Sequence, residues 1–431
     1  MSRSLATFPD RLGWRAVTNL KVEDQHTRIL SGSVVMLVGI AIVSAFNFGY
    51  NVAMARMLGP AEFGHASAAV TLLMLVSAIT LAFQLVCAKF VARNQSPGAR
   101  KSLVQSLLKR AWIVGLTLAA TMALGSHALA QYLRLPTPWI VLILTFGIAF
   151  YVPLGVKRGS MQGDCAFLRL AGNFILEVLV KFGGALVLVG LGFGVNGAVI
   201  AIAASVVLAY FLPPTEQNLF RRHGEACIPA SFREGMQAIV FFVGQVIINN
   251  IDILLVKHFF TPELAGMYAA VALVGRVLYF ASWSVVSAMF PVSAGAKTEE
   301  HDASLLVVPL LLVVCLAVGF ILVMTFVPGL IVHFIFGAGY REAEPLLSLY
   351  AAATGLYSLS VVLMAYEMSR RIASTGWVQL FFSGAIVAGI TLFHSNLREV
   401  ILVQIVLMVL LLIVVSLPFF RMRPACPQEA A

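Results

Sequence analysis

Apolar positions in this chain cluster in long runs rather than alternating with polar ones. Twelve runs of about 20 residues or more lie at roughly 31–57, 62–89, 104–131, 136–156, 166–191, 194–213, 235–257, 263–291, 303–327, 344–367, 373–393 and 398–420. A helix of that length crosses the ~30 Å hydrocarbon layer of a bilayer. The pattern therefore predicts an all-α chain with twelve membrane-crossing helices. The fifth and sixth runs are divided only by Gly190-Leu191-Gly192-Phe193-Gly194. Between the first two runs sits a polar stretch, Arg56-Met57-Leu58-Gly59-Pro60-Ala61-Glu62-Phe63-Gly64, followed by Ala68-Ala69-Val70. It has an echo between the seventh and eighth, Lys257-His258-Phe259-Phe260-Thr261-Pro262-Glu263-Leu264-Ala265-Gly266, followed by Ala269-Ala270-Val271. Setting Pro60 on Pro262 also sets Gly64 on Gly266 and Asn47 on Asn249, while the Ala-Ala-Val runs fall one residue out of step. In both stretches proline stands at a first helical position and glutamate in the first turn, where the missing N–H costs nothing and the carboxylate faces the positive helix end. These residues therefore read as helix starts, not as transport or catalytic groups.

Charge gives the runs a direction. Of the 29 lysines and arginines, Arg56, Arg134, Lys257, Arg341 and Arg398 fall in or beside odd-numbered connections, and Lys181 and Arg276 fall within runs. The other 22 lie in the tails, the even-numbered connections or the adjoining helix ends. By the positive-inside rule both tails are cytoplasmic. This alternation also supports an even count of spans. The net charge of +10 is thus accounted for by membrane topology rather than by nucleic acid. With 60% hydrophobic and 11% charged residues and a mean hydropathy of +0.94, the chain carries less than half the ~25% charge of a soluble domain. Its solvent is largely lipid. The mostly polar first thirty or so residues do not read as a cleavable signal. Cys87, Cys165, Cys227, Cys315 and Cys426 are too far apart for a CxxC metal or redox motif.

The longest cytoplasmic connection divides the runs six and six. The expected organisation is a cytoplasmic tail (1–30), an N-lobe of six spans (31–213), a cytoplasmic linker (214–234), a C-lobe of six spans (235–420) and a short cytoplasmic tail (421–431). Six spans per half give both halves the same orientation, so the lobes are expected to be related as a parallel repeat about an axis along the membrane normal. An amphipathic surface helix is expected around Leu12–Leu20.

Polar residues inside the runs are the candidate chemistry, because a charge at mid-membrane costs roughly 2.5–3.5 kcal/mol on the insertion scale. Arg169, Asn173, Glu177 and Lys181 recur every four residues on one face of span 5. Glu177 and Lys181 form an i,i+4 pair in the favourable order. This face either lines a cavity or holds span 5 against its neighbours through a self-neutralised pair. Arg276 lies at mid-depth in span 8 with no acid at i±3 or i±4, so its partner is another helix, a carbonyl or an anionic substrate. Asp252, beside Asn249 and Asn250, is the candidate partner. Asn47 and Asn51 occupy the corresponding part of span 1. Such asparagines serve as cavity lining or as interhelical glue. Gln84 and Gln245 are weaker members of the set.

The chain contains no Gly-Lys-Ser/Thr phosphate loop, no HExxH and no paired carboxylates in a loop, and its connections are too short for a glycosyltransferase domain. No enzyme and no cofactor are expected. The Leu-Gly-Pro-Ala-Glu-Phe-Gly hairpin resembles the first hairpin of the polysaccharide-transporter (Wzx-like oligosaccharide flippase) branch of the MOP superfamily, which also contains MATE exporters and lipid II flippases. Asp252, Thr261-Pro262-Glu263, Ala265-Gly266-Met267-Tyr268, Arg276 and Pro291 are similar to that branch's second-half hairpin, and Phe336-Gly337-Ala338-Gly339-Tyr340 with Ala343 to its third recurring stretch. The resemblance covers about residues 30–420. It implies two six-helix lobes around a central cavity and a polyprenyl-diphosphate-linked oligosaccharide as substrate. It also implies surface or exopolysaccharide synthesis in a bacterial cytoplasmic membrane, among membrane lipid, glycosyltransferases and a polymerase, with the coupling ion left open between H+ and Na+. The substrate-facing candidates are Asn47, Asn51, Asn173, Glu177, Lys181, Asn249, Asp252 and Arg276. Two other readings stand beside it. One is a cation-coupled MATE-like exporter, with Glu177 or Asp252 as the ion-binding carboxylate. The other is a non-transporting scaffold for glycan-assembly enzymes.

Overall fold

The computed structural model describes residues 11–94, 96–212, 232–295, 304–370 and 375–421. Every regular element among them is helical: α1 (Arg11–Arg93), α2 (Pro97–Leu124), α3 (Ser126–Tyr132), α4 (Trp139–Gly163), α5 (Phe167–Leu188), α6 (Gly194–Phe211), α7 (Phe232–Phe259), α8 (Pro262–Gly295), α9 (Ser304–Phe326), α10 (Pro328–Ile335), α11 (Glu344–Arg370), α12 (Thr375–Leu392) and α13 (Leu397–Arg421). A π turn (Val189–Phe193) joins α5 to α6, and a 3-10 turn (Ala338–Ala343) precedes α11. Apolar runs take this form because lipid offers the backbone no hydrogen bonds, so each segment satisfies its own.

By length and composition, eight helical stretches among the described residues can cross a membrane. Two of these, Val35–Arg93 with 59 residues and Phe167–Phe211 with 45, are far longer than the roughly 20 that one crossing needs. Glycine breaks both. Gly59 adopts φ 74° and ψ 175° in the first, and Gly192 and Gly194 adopt φ 91° and 52° in the second. Only glycine takes these positive φ values without a steric penalty. The first break lies in the hairpin expected between spans 1 and 2, the second in the Gly-Leu-Gly-Phe-Gly division. With α7 and the shorter apolar segment Gly376–Leu392, the two double stretches complete twelve spans. The pattern of apolar positions did not anticipate α10 and the 3-10 turn, which fold the connection before α11, or the break at Gly125 that ends α2 and starts α3.

The two halves pack alike. In the first, α1 packs on α4 and α5, α2 on α4, α4 on α6, and α5 on α6. In the second, α8 packs on α11, α7 on α12, α9 on α11, α11 on α13, and α12 on α13. Each of these five pairings in one half has its counterpart in the other once the arms of α1 before and after Gly59 are matched to α7 and α8. This is the packing of a parallel repeat, with the two prolines of the sequence echo opening matching helices. The first half meets the second chiefly where α1 packs on α7 and α8. Of the expected tails, residues 1–10 and 422–431 lie outside the described residues, as do residues 214–231 of the expected linker. Residues 11–30 begin α1 and residues 232–234 begin α7 instead of standing apart as tail and linker. The side chains of the surface helix expected around Leu12–Leu20 are also outside the described residues.

Small residues set the closest approaches. Gly155, Gly159 and Gly163 of α4 run along the later arm of α1, where an added Cβ would lie 2.5, 2.3 and 2.7 Å from the carbonyl oxygens of Thr80, Gln84 and Ala88. The hydrophobic effect does not drive helices together within lipid, so such backbone contact is a main source of attraction. Away from the seam, α9 exposes Leu311, Leu312, Leu316, Val318, Leu322 and Val323, the surface of a lipid-facing helix.

Gly159→Ala is expected to destabilise the first half by about 1–3 kcal/mol through overpacking. Gly172→Ala, on a face of α5 with nothing within 4 Å of the new Cβ, is expected to be neutral or slightly stabilising. Thermal unfolding of the two variants in detergent checks the contrast, and equal midpoints would contradict the packing seam.

Candidate functional site

The polar face of α5 is divided between two tasks. Asn173 is buried at 1% exposure. Its Oδ1 accepts from Arg158 Nε of α4 at 2.7 Å, and its Nδ2 donates to the carbonyls of Ala209 and Leu212 at 2.7 and 2.8 Å, at the end of α6. The side chain ties three helices together and has no polar atom left for a cavity. Glu177 accepts from Arg158 Nη2 as an ion pair, and the same guanidinium lies 4.0 Å from the centroid of Phe174. The expected intrahelical pairing of Glu177 with Lys181 is therefore replaced by a cross-helix one. The reason is geometric: a buried Arg158 on the neighbouring helix offers a second donor to the Asn173 and Glu177 face, leaving Lys181 to turn elsewhere.

Lys181 turns to the first arm of α1. Its Nζ donates to Asn47 Oδ1 and lies 4.9 Å from the centroid of Tyr50. Asn51 Nδ2 donates to the Asn47 carbonyl at 2.8 Å, one turn back on its own helix. Lys181, Asn47 and Asn51 are all half-buried, so this cation is held by a neutral amide at the edge of the packed interior.

The second half holds its cation in a related way. Arg276 Nη2 donates to Asn250 Oδ1 at 2.8 Å and to the Asn249 carbonyl at 3.3 Å, while Nε has no hydrogen-bond partner. Asn249 Nδ2 donates to the Gln245 carbonyl at 2.8 Å and to Tyr357 Oη at 3.4 Å. Asp252, the expected partner of Arg276, makes its hydrogen bonds elsewhere and meets Arg276 through space without a direct bond. It is 1% exposed, and Oδ2 accepts from the hydroxyls of Tyr268 and Tyr350, both at 2.9 Å. Gln404 of α13 donates to Tyr268 Oη at 2.6 Å, while Asp252 Oδ1 has no hydrogen-bond partner. Asp252 lies three residues beyond Asn249, nearly a full turn along α7, and looks toward α8 and α11 where the two tyrosines converge.

Arg276, Asn249, Tyr350, Tyr357, Thr354 and Gln404 line a cavity of about 30 Å³. A water needs roughly 10–15 Å³, so the cavity suits a water or two and no sugar. A second polar cluster adjoins it: Gln379 Nε2 donates to Tyr357 Oη at 3.0 Å, Gln245 Nε2 donates to Tyr279 Oη, and Tyr279 stacks on Tyr357.

Several of these residues were not singled out by sequence reasoning. Arg158 sits just past the end of the fourth apolar run and counts there as a loop charge, but α4 continues to Gly163 and buries it. Gln379 and Gln404 are polar residues inside apolar runs, a signal open to the criterion that singled out Asn249. Tyr268 lay in a stretch that carries the resemblance, whereas Tyr279, Tyr350 and Tyr357 gave no such signal, since the residue type is common at membrane interfaces.

Comparison with known proteins adds an independent line. A family profile described as polysaccharide biosynthesis protein matches residues 53–345. Among solved structures, the chain is similar to a multidrug resistance MATE family transporter of the MOP superfamily in an inward-facing conformation, at 14% identity and TM-score 0.68 over 90% of this chain and 100% of that one. It is similar to the lipid II flippase MurJ in an inward closed conformation, at 12% identity and TM-score 0.71 over 90% of this chain and 87% of that one. For an outward-facing MATE family transporter the identity is 16% and the TM-score 0.58, over 91% and 95% of the two chains. At these identities the likeness is one of fold. No curated protein sequence matches the chain.

Removing one member of a buried ion pair leaves the other uncompensated, at a cost of about 3–5 kcal/mol. Arg158→Ala is therefore expected to lower the thermal midpoint and the yield of monodisperse protein sharply. Arg158→Met combined with Glu177→Leu is expected to recover most of the loss. If the double variant is no more stable than Arg158→Ala, the pair is not the stabilising unit.

Proposed function

The chain belongs to the polysaccharide biosynthesis protein family and is a multi-pass membrane transporter with a MOP-superfamily fold, and on that premise we propose that it flips a polyprenyl-diphosphate-linked oligosaccharide across the bacterial cytoplasmic membrane. The observation that carries the reading is the pair of half-buried cations. Lys181 in one lobe is bonded to the Asn47 amide, and Arg276 in the other to the Asn250 amide and the Asn249 carbonyl. Neither spends its charge on a carboxylate hydrogen bond among the described residues. Glu177 and Asp252 lie near enough to offset part of these charges, and a cation whose hydrogen bonds go to neutral groups keeps the remainder of its attraction for an anion. A diphosphate linked to sugar is such an anion.

The physics of the cargo agrees. Moving a hydroxyl from water into alkane costs roughly 4–8 kcal/mol, so a glycan headgroup needs a polar route while its prenyl tail stays in lipid. The lobe-interior cavity of about 30 Å³ cannot hold such a headgroup, and in this reading it rides between the lobes at 31–213 and 235–420 while they rock against each other. The distribution of basic residues supports cytoplasmic tails, which places the odd-numbered connections outside. Glycosyltransferases and a polymerase are the expected partners in the pathway.

One observation favours a second reading. Asp252 is a buried carboxylate with an oxygen free of hydrogen bonds, a group suited to a coupling cation and so to an exporter. Asp252→Asn keeps an oxygen to accept from the two tyrosines but removes the charge.

Lys181→Ala and Arg276→Ala are each expected to cut surface polysaccharide at least tenfold in a deletion strain expressing them at normal level, with the lipid-linked precursor accumulating on the cytoplasmic side. Lys181→Arg is expected to retain much of the activity. If the deletion itself leaves polysaccharide and precursor unchanged, the flippase reading fails. Loss of drug efflux in Asp252→Asn with normal polysaccharide would favour the exporter.

A further inference from the structure

The stretch and its echo do more than open matching helices: they touch each other. A Cβ on Gly64 would lie 2.7 Å from the Pro262 carbonyl oxygen and 3.0 Å from the Gly266 nitrogen. A Cβ on Gly266 would lie 1.8 Å from the Pro60 carbonyl oxygen and 2.6 Å from its carbon. The contact is reciprocal, glycine of one hairpin on proline of the other, as a two-fold interface requires. Both glycines are buried, and any side chain at Gly266 would enter backbone atoms of the opposite lobe.

Around this crossing the lobes exchange side-chain hydrogen bonds at the same end of the bundle, among the odd-numbered connections. Arg56 Nε donates to the Ile335 carbonyl at 2.8 Å, and Nη2 donates to the Phe334 carbonyl, both at the C-terminus of α10. Tyr340 Oη donates to the Ala55 carbonyl at 3.0 Å. Arg134 Nη1 donates to the Phe260 carbonyl at 3.3 Å, just past the end of α7. His258 Nδ1 donates to the Tyr132 carbonyl at 2.7 Å, and the two rings stack with centroids 3.9 Å apart. Cations on the carbonyl ends of helices are favourably placed against the helix dipole. Two features weigh against the closed arrangement. Lys257 is 1% exposed and His65 8%, yet Lys257 Nζ and His65 Nδ1 have no hydrogen-bond partner. Buried polar groups left unpaired disfavour the state that buries them, and parting the lobes here would let water reach both.

We propose that the reciprocal glycine–proline crossing is the closed gate of the transporter at its odd-connection end, and that the absence of side chains at positions 64 and 266 sets how completely it closes. The cross-lobe carbonyl bonds of Arg56, Arg134, Tyr340 and His258 hold the gate shut, while Lys257 and His65 keep it able to reopen. Bulk at either glycine wedges the lobes apart here without touching the polar groups assigned to the substrate.

The gate is read by a disulfide across it. Tyr132→Cys and His258→Cys are combined in a background whose five native cysteines are replaced, with a protease site in the linker at 214–234. After oxidation in membranes and cleavage, the disulfide holds the halves together on a gel. The parent is expected to cross-link efficiently. Gly266→Ala and Gly64→Leu are expected to reduce the yield at least fivefold while remaining monodisperse in detergent. A folded Gly266→Ala protein that cross-links like the parent overturns the proposal. If neither glycine variant folds, Arg56→Ala decides: a clear fall in yield supports the gate and an unchanged yield overturns it. The measurement needs no substrate, so it stands apart from the flippase reading and can fail or hold independently of it.

Discussion

A polar group without a partner in hydrocarbon is costly, and this constraint governs the protein at every scale. It forces the backbone into helices, since water is not there to bond an exposed N–H or C=O. It also decides where polar side chains go. Asn173 spends its amide on the end of α6, Glu177 on Arg158, and Asp252 on two tyrosine hydroxyls. Each bond crosses between helices, so satisfying the side chain also fixes the packing. The cost of breaking such a bond exceeds the gain from making it, because the group left behind has nowhere to turn.

The same rule distinguishes side chains spent on partners within a lobe from the two cations proposed to meet the cargo. Arg158 and Asp252, nearly fully buried, make hydrogen bonds to side chains on other helices. Lys181 and Arg276 are half-buried and bonded to neutral asparagines and a carbonyl. That difference, rather than depth alone, underlies the proposal that Lys181 and Arg276 meet an anionic headgroup.

The two lobes meet where the chain carries least side chain. Within the first half, glycines of α4 let it approach α1; between the halves, Gly64 and Gly266 do the same for the two hairpins. In the proposed cycle the close approach inside a lobe persists. Between lobes, where the proposed gate parts, it is accompanied by side-chain bonds to carbonyls, that of exposed Arg56 among them, rather than by a buried ion pair.

Much of the fold was legible in the sequence. Run lengths determined the spans, and the echo of Pro60–Gly64 in Pro262–Gly266 the equivalence of two hairpins. These features depend on the chain's relation to lipid and water, which each segment meets by itself. Partner choice was not legible. Spacing paired Glu177 with Lys181, but Arg158 arrives from α4 and takes the glutamate. Proximity in sequence offered Asp252 to Arg276, but Tyr268 and Tyr350 converge on the carboxylate instead. The echo marked two helix starts, but nothing in one dimension said that they touch. The sequence by itself determined which segments enter the membrane and which residues must find partners there. Only the tertiary structure decided which partners they found, because that depends on which helix faces bring their donors within about 3 Å of an acceptor, and a linear spacing rule covers only one helix at a time.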